Sequence, residues 1–180
     1  MKETLVVLVD EKDNPIGVME KMEAHQKAML HRAVSVFIID SRGAWILQKR
    51  AYHKYHSKGL WTNTCCTHPF PDESEEESAS RRLMEEMGLQ CNLNKLFTFI
   101  YKENLGNGLT EYELDHVFWG ISDDTPIINT DEVESWMKIS FEKLHQSVTE
   151  QPDLYTYWFK EIYQQVNRHI KNGNGVLKPA

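Results

Sequence analysis

Between Ser74 and Gly88 the chain has little choice but a helix. Ser74 stands three residues before Glu77, the capping-box spacing in which each side chain satisfies the other's backbone N–H. Glu75, Glu76 and Glu77 fill the first turn, where the helix dipole favours negative charge. Gly88 sits where a left-handed residue closes the last turn. A helix so firmly delimited needs an apolar surface to lie on, and the flanking segments supply one.

Residues 4–9 read as a buried strand and residues 13–17 as a turn. Residues 33–39 form a second strand, closed by a turn at 40–43 and answered by residues 45–50, which predicts a hairpin. Residues 96–101 and 111–121 read as strands joined by a turn at 104–108, and residues 136–139 as a short strand. Ser140 caps a short helix, and Pro152 opens a longer one running to about residue 171. This alternation specifies an α/β (α+β) fold, a mixed β-sheet flanked by helices. At 180 residues one domain over 1–180 is expected, with a frayed tail from about 172 to 180.

Composition excludes several functions. The formal net charge of −7 argues against a nucleic-acid binder, which needs a basic face. No apolar run approaches the ~20 residues of a membrane span, and Met1-Lys2-Glu3-Thr4 opens no signal peptide. The three cysteines cannot all pair within one chain, and a bridge between adjacent Cys65 and Cys66 would be badly strained. A reduced, soluble, cytoplasmic protein follows, with monomer and homodimer both open.

Chemistry is concentrated in three places. In residues 61–69, an extended backbone puts Cys66 and His68 on one face and Cys65 and Thr67 on the other. Thiol beside imidazole is a nucleophilic pair, a pair of metal ligands or plain core. Glu111 and Glu113 likewise share a strand face, which is costly unless a cation lies between them and otherwise marks a solvated face. His25 and His31, six apart, fit neither face of one helix, whereas His53, His56, His116, His145 and His169 read as surface or packing residues. Three His and two Glu exceed the ligand count of a closed zinc tetrahedron.

From Thr67 to Leu89 the chain resembles the Nudix box in register, with Glu73, Arg81 and the Glu85-Glu86 pair before Gly88-Leu89. It departs twice: Thr67 stands in place of the initial Gly, and Arg82 in place of a Glu. Arg82 and Glu86 share a helix face, so the arginine removes a carboxylate from the metal row and adds a phosphate-binding fork. A solvated helix with an Arg82–Glu86 pair is the plain alternative.

The ordered set resembles the type 1 isopentenyl-diphosphate delta-isomerase family, which has a Nudix-like fold, over about residues 3–170. The resemblance rests on Glu20-Lys21 with His25, on His31, and on Lys49-Arg50-Ala51 with Lys54. It continues through residues 61–69, Arg81-Arg82 with Glu86, Glu111-Tyr112-Glu113 and Trp158. It implies that Cys66 and Glu113 transfer protons and that Tyr101 and Trp158 complete the catalytic set. It further implies that His25, His31, His68, Glu111 and Glu113 bind Mn²⁺ or Zn²⁺, with Glu86 binding the Mg²⁺ of the substrate. Lys21, Arg50, Lys54 and Arg82 would cradle the diphosphate of a small-molecule substrate. The His-Pro pair one residue after Cys66 selects it over Cys65. A Nudix pyrophosphohydrolase and a non-catalytic ligand-sensing domain are the competing readings.

Overall fold

The computed structural model describes residues 5–172; Thr4 of the first expected strand and the tail beyond residue 172 lie outside the described residues. Among the described residues nine strands form one mixed sheet. In chain order they are β1 (Leu5–Val9), β2 (Pro15–Glu20), β3 (His31–Ile39), β4 (Trp45–Arg50), β5 (Trp61–Thr62), β6 (Cys65–Thr67), β7 (Leu93–Gly106), β8 (Leu109–Ile121) and β9 (Val133–Ile139). The helices are α1 (Lys21–Gln26), α2 (Glu75–Met87), α3 (Phe141–Glu150) and α4 (Tyr157–Asn172). No described helix is long and apolar enough to cross a membrane.

The expected α2 is present with its capping box, and Gly88 adopts φ 62°. A Cβ at Gly88 would meet the Ile127 carbonyl at 2.8 Å, so glycine is required there for space as well as for conformation. Strand β3 organises the sheet. Along one edge it pairs in parallel with β8 from His31 to Ile39. Its other edge is shared by β1, β6 and β4 in turn. Strands β7 and β8 form a long hairpin whose loop is Asn107-Gly108, both at positive φ, as a tight primed turn demands.

Four expectations need correction. The 33–39/45–50 hairpin pairs only at Ile38↔Ile46 and Ile39↔Trp45. Thr64 is the reason: its hydroxyl accepts from Ile38 N–H at 2.8 Å and donates to Ile46 C=O at 2.7 Å, wedging the two strands apart. Pro152 opens only a single 3-10 turn, Pro152–Leu154, because Tyr155 turns extended and bridges to Trp61 before α4 begins. The predicted turn at 13–17 ends sooner, since Pro15 already starts the solvent-facing edge strand β2. The six-residue α1 was absent from the expected elements.

Two apolar layers sandwich the sheet. Val34, Val36, Ile38 and Cys65 pack with Ala79, Leu83 and Met87 of α2. Phe37, Ile39 and Leu47 pack with Leu144 of α3 and with Trp158, Phe159 and Ile162 of α4. Burial of these side chains contributes roughly 1.5–3 kcal/mol each relative to exposure, and it fixes which strand face looks toward α4.

Candidate active site

Strand alternation assembles the site. Cys66 pairs with Ser35 across the β6–β3 ladder, and Glu113 pairs with His31 across β3–β8. In-register partners share a face, so His31, Ser35, Cys66, Glu111, Glu113 and Asp115 all point toward the α4 side. Tyr101, opposite Glu113 on β7, joins them. These residues, except His31, line one cavity of about 360 Å³ together with His68, Trp158, Lys21, Arg50, Lys54 and Arg82.

At its floor His25, His31, His68 and Glu113 converge, with ligand atoms all within 4.8 Å of one another. The Glu113 Oε1 atom lies 3.0 Å from His68 Nε2, 3.5 Å from His31 Nε2 and 3.8 Å from His25 Nε2. His31 uses Nδ1–H to donate to the Met29 carbonyl at 2.8 Å, which leaves a bare lone pair on Nε2 facing a carboxylate oxygen. Both ring nitrogens of His25 and Nε2 of His31 are buried without a hydrogen-bond partner. Lone pairs turned on one another and orphaned imidazoles are what a bound cation reconciles, so the residues fit a divalent metal. Burial also disfavours the charged form of two of the rings: it pushes His25 down and His68 to about 3.

Glu111 stands one step outside that group. Its Oε1 is 3.3 Å from His56 Nε2, and its Oε2 shares the Tyr101 hydroxyl (3.3 Å) with Glu113 Oε2 (2.7 Å). Burial and the neighbouring Glu113 raise the Glu111 carboxyl well above the usual range. Burial acts against ionisation of Glu113 too, but His68 first, and His25 and His31 wherever a ring N–H turns to the carboxylate, outweigh it and hold that group well below. The pair is therefore split into one neutral and one charged carboxyl.

Cys66 is held differently. Its thiol donates to Asn63 Oδ1 at 3.2 Å and lies 3.7 Å from Ser35 Oγ, whose hydroxyl donates to Asp115 at 2.6 Å. Burial, seconded by Asp115, pushes the thiol up to about 12, so it rests protonated. Adjacent Cys65 points away into the layer under α2. Among the cations, the Arg50 guanidinium lies over the Trp158 ring at 5.4 Å. Arg82 Nη2 meets Glu86 at 2.6 Å and Glu132 at 2.7 Å, and Lys54 also pairs with Glu132. Glu86 is 4% exposed and accepts from Gln48 Nε2 at 2.7 Å, so it lies beneath Arg82 rather than on the cavity wall.

A NUDIX domain model matches residues 29–162. A relative from Pectobacterium atrosepticum, named isopentenyl-diphosphate Delta-isomerase, is 52% identical over 163 residues, 91% of either chain. Another from Photorhabdus laumondii, isopentenyl-diphosphate Delta-isomerase 2, is 54% identical over 158 residues, 88% of this chain and 89% of its own. The chain belongs to the isopentenyl-diphosphate Delta-isomerase family. Solved structures agree on the fold: a Deinococcus radiodurans protein, DR0079, superposes with a TM-score of 0.74 at 18% identity, over 89% of this chain and 98% of that one.

The family implies dependence on a divalent metal, and the described residues hold two groups that could meet it, His25, His31, His68 and Glu113 in the site and Asp13, Glu75 and His116 away from it. Two of the histidines expected to be surface or packing residues are neither exposed nor apolar in their contacts. His56 has a side chain 8% exposed and faces Glu111. His116 is 1% exposed, with Nε2 3.0 Å from Asp13 beside the Arg32–Glu75 ion pair. Ser35 and Asp115 were also missed, although period-2 counting from His31 and from Glu113 reaches them. His56 and Glu132 sit in loops, where no periodicity points to them.

Proposed function

We propose that this cavity interconverts isopentenyl diphosphate and dimethylallyl diphosphate by adding a proton at one carbon and removing another two bonds away. The observation that carries the reading is that Cys66 and Glu113 open into the same cavity, which is lined by five basic side chains, Lys21, Arg50, Lys54, Arg81 and Arg82, and by Tyr101 and Trp158. A resting thiol and a resting carboxylate make one proton donor and one acceptor. Because the interconversion runs both ways, each serves as acid in one direction and base in the other.

Protonating an unactivated alkene generates positive charge on a tertiary carbon, which water would capture. Trp158 and Tyr101, 3% and 7% exposed, close the cavity with ring faces that stabilise a cation by ~0.5–2 kcal/mol each. The Tyr101 hydroxyl donates its one proton to Glu113 at 2.7 Å, with Glu111 3.3 Å from the same oxygen, and so orients the carboxyl that handles the proton. Lys21, Arg50, Lys54 and Arg82 hold the diphosphate, which stays intact and supplies binding energy rather than reacting. Of the residues expected as ligands, His25, His31, His68 and Glu113, with Glu111 beside them, would hold Mn²⁺ or Zn²⁺; Glu86 would reach the Mg²⁺ of the diphosphate only on release from Arg82, which holds it at 2.6 Å. A divalent cation held there would favour the charged form of the Glu113 carboxyl and ease the return of a proton it has accepted.

We read the chain as one domain, which the single nine-stranded sheet supports, and as cytoplasmic, which the free thiols of Cys65, Cys66 and Cys91 support. A hydrolase would need the carboxylate that Arg82 replaces and has no use for a thiol–carboxylate pair. Incubation with isopentenyl diphosphate and Mg²⁺ tests the reading. Dimethylallyl diphosphate should accumulate without phosphate release; phosphate, or no conversion, would overturn it.

A further inference from the structure

We infer that Asn63 is a positioning residue for this isomerisation, its side-chain oxygen fixing the Cys66 thiol and the Trp158 indole in one frame. The inference rests on the roles given to Cys66 and Trp158 above. Asn63 lies between β5 and β6 and is fully buried. Its Oδ1 accepts from Cys66 Sγ at 3.2 Å, from Trp158 Nε1 at 3.2 Å and from the Thr62 hydroxyl at 2.9 Å. The donor and the aromatic wall, 92 positions apart by their numbers 66 and 158, thus meet on a single atom.

That atom is itself immobile. Both hydrogens on Asn63 Nδ2 are spent on backbone carbonyls, Val36 at 3.1 Å in β3 and Cys65 at 2.7 Å in β6. The amide is therefore pinned to the two strands that build the site, and the oxygen faces the cavity side by necessity. Thr62 adds a second route to the α4 segment, its hydroxyl 2.9 Å from that of Thr156. A residue needed only to satisfy the local backbone would require the two N–H donors and nothing of the oxygen. Here the oxygen collects the two groups that must act on one five-carbon unit.

A thiol turns freely about its Cα–Cβ bond, and an indole packed only by apolar contact can slide. Proton transfer and charge stabilisation at neighbouring carbons tolerate neither, since a misplacement of about 1 Å costs on the order of 100-fold in rate. Asn63 removes both freedoms at once. Its effect should accordingly fall mainly on kcat, because Asn63 bonds none of the diphosphate cations, and of these Arg50 alone meets the group, over the Trp158 ring at 5.4 Å.

The test uses the full-length protein with Asn63→Ala, Trp158→Phe, their combination, and Cys66→Ala. Asn63→Ala should lower kcat on the order of 100-fold while KM for isopentenyl diphosphate moves less than about threefold. The S–H stretch of Cys66, assigned in Raman spectra by difference from Cys66→Ala, should lie at a hydrogen-bonded frequency in the native protein and rise in Asn63→Ala. Trp158→Phe, which keeps a ring and loses the N–H, should cost about tenfold alone and much less once Asn63 is already alanine. A native Cys66 band at the free-thiol frequency, unchanged kcat in Asn63→Ala, or additive losses in the double variant would overturn the inference. The native band decides even if Asn63→Ala fails to fold. Wild-type turnover in Cys66→Ala would instead overturn the reading of Cys66 as the proton donor, and the inference with it.

Discussion

Replacing His25 by Leu should have opposite consequences with and without metal. His25 is fully buried, neither ring nitrogen has a hydrogen-bond partner, and Nε2 lies 3.8 Å from a carboxylate oxygen. An unsatisfied buried polar group costs about 1–3 kcal/mol, so the metal-free protein carries at least one such cost at this residue. Leu has similar volume and no polar atom, and it should raise the stability of the chelator-treated protein by roughly 1 kcal/mol, or ~2–4 °C for a domain of this size. With metal the order reverses. At a free concentration 100 times Kd, a ligand bound only by the folded state stabilises it by about 2.7 kcal/mol, equivalent to ~5–11 °C. The native protein should gain that shift on adding Mn²⁺ or Zn²⁺, and His25→Leu should gain little of it. Thermal melts with and without chelator, paired with elemental analysis, read both halves. A variant equally destabilised in chelator and in metal would refute the reasoning and leave His25 as an ordinary packing residue.

Other outcomes follow from the same geometry. Cys66→Ala and Glu113→Gln should each nearly abolish turnover with melting curves preserved, while Cys65→Ala, whose thiol faces the α2 layer, should keep most activity; the reverse pattern would show that the wrong thiol has been assigned. Arg82→Ala removes a charge-assisted contact worth ~1.5–3 kcal/mol and should raise KM by about 10- to 100-fold, and Arg82→Glu should not produce a nucleoside-diphosphate hydrolase, which phosphate release would contradict. Burial, opposed by Glu113, brings Lys21 down from its ordinary 10.5 to about 8. On its proposed role the charged form would bind the diphosphate and is present below that pH, so KM should be level below about 8 and climb above it as the proton is lost. Lys21→Arg, which stays charged, should flatten the climb, and an unaltered profile in that variant would rule Lys21 out as its source.

How far the sequence reaches depends on whether a feature is local. The α2 cap was legible because both its bonds close within three residues, and the Cys66–His68 and Glu111–Glu113 faces because strand alternation is local too. The convergence of His25, His31, His68 and Glu113 came from family resemblance, since nothing in the spacing brings a short helix, a strand start and a loop to one point. The Thr64 wedge, the Tyr155 bridge to Trp61 and the Glu132 partnership with Lys54 and Arg82 all require knowing which strands are neighbours. Strand β2 and helix α1 were missed for a different reason. One is mostly exposed and the other is a single short turn with two buried residues, so neither bears an apolar stripe.

Arg82 explains how a hydrolase-like scaffold can spare a diphosphate. Hydrolysis of a diphosphate by a metal row on α2 needs several carboxylates to gather cations around the bridging oxygen and an activated water. Here the row is interrupted: Arg82 takes a carboxylate position and ties up Glu86 and Glu132 with one guanidinium nitrogen, at 2.6 and 2.7 Å. Fewer metal ligands remain, and the positive charge that stays is a fixed side chain that cannot deliver hydroxide. On the proposed reading the carboxylate that matters for chemistry is Glu113, across the sheet on β8, which is held well below the usual carboxylate range and accepts from Tyr101 at 2.7 Å. On that reading the helix face that would cut the phosphoanhydride in a hydrolase serves as its anchor, and the reaction falls on the hydrocarbon, beside a buried thiol that rests protonated.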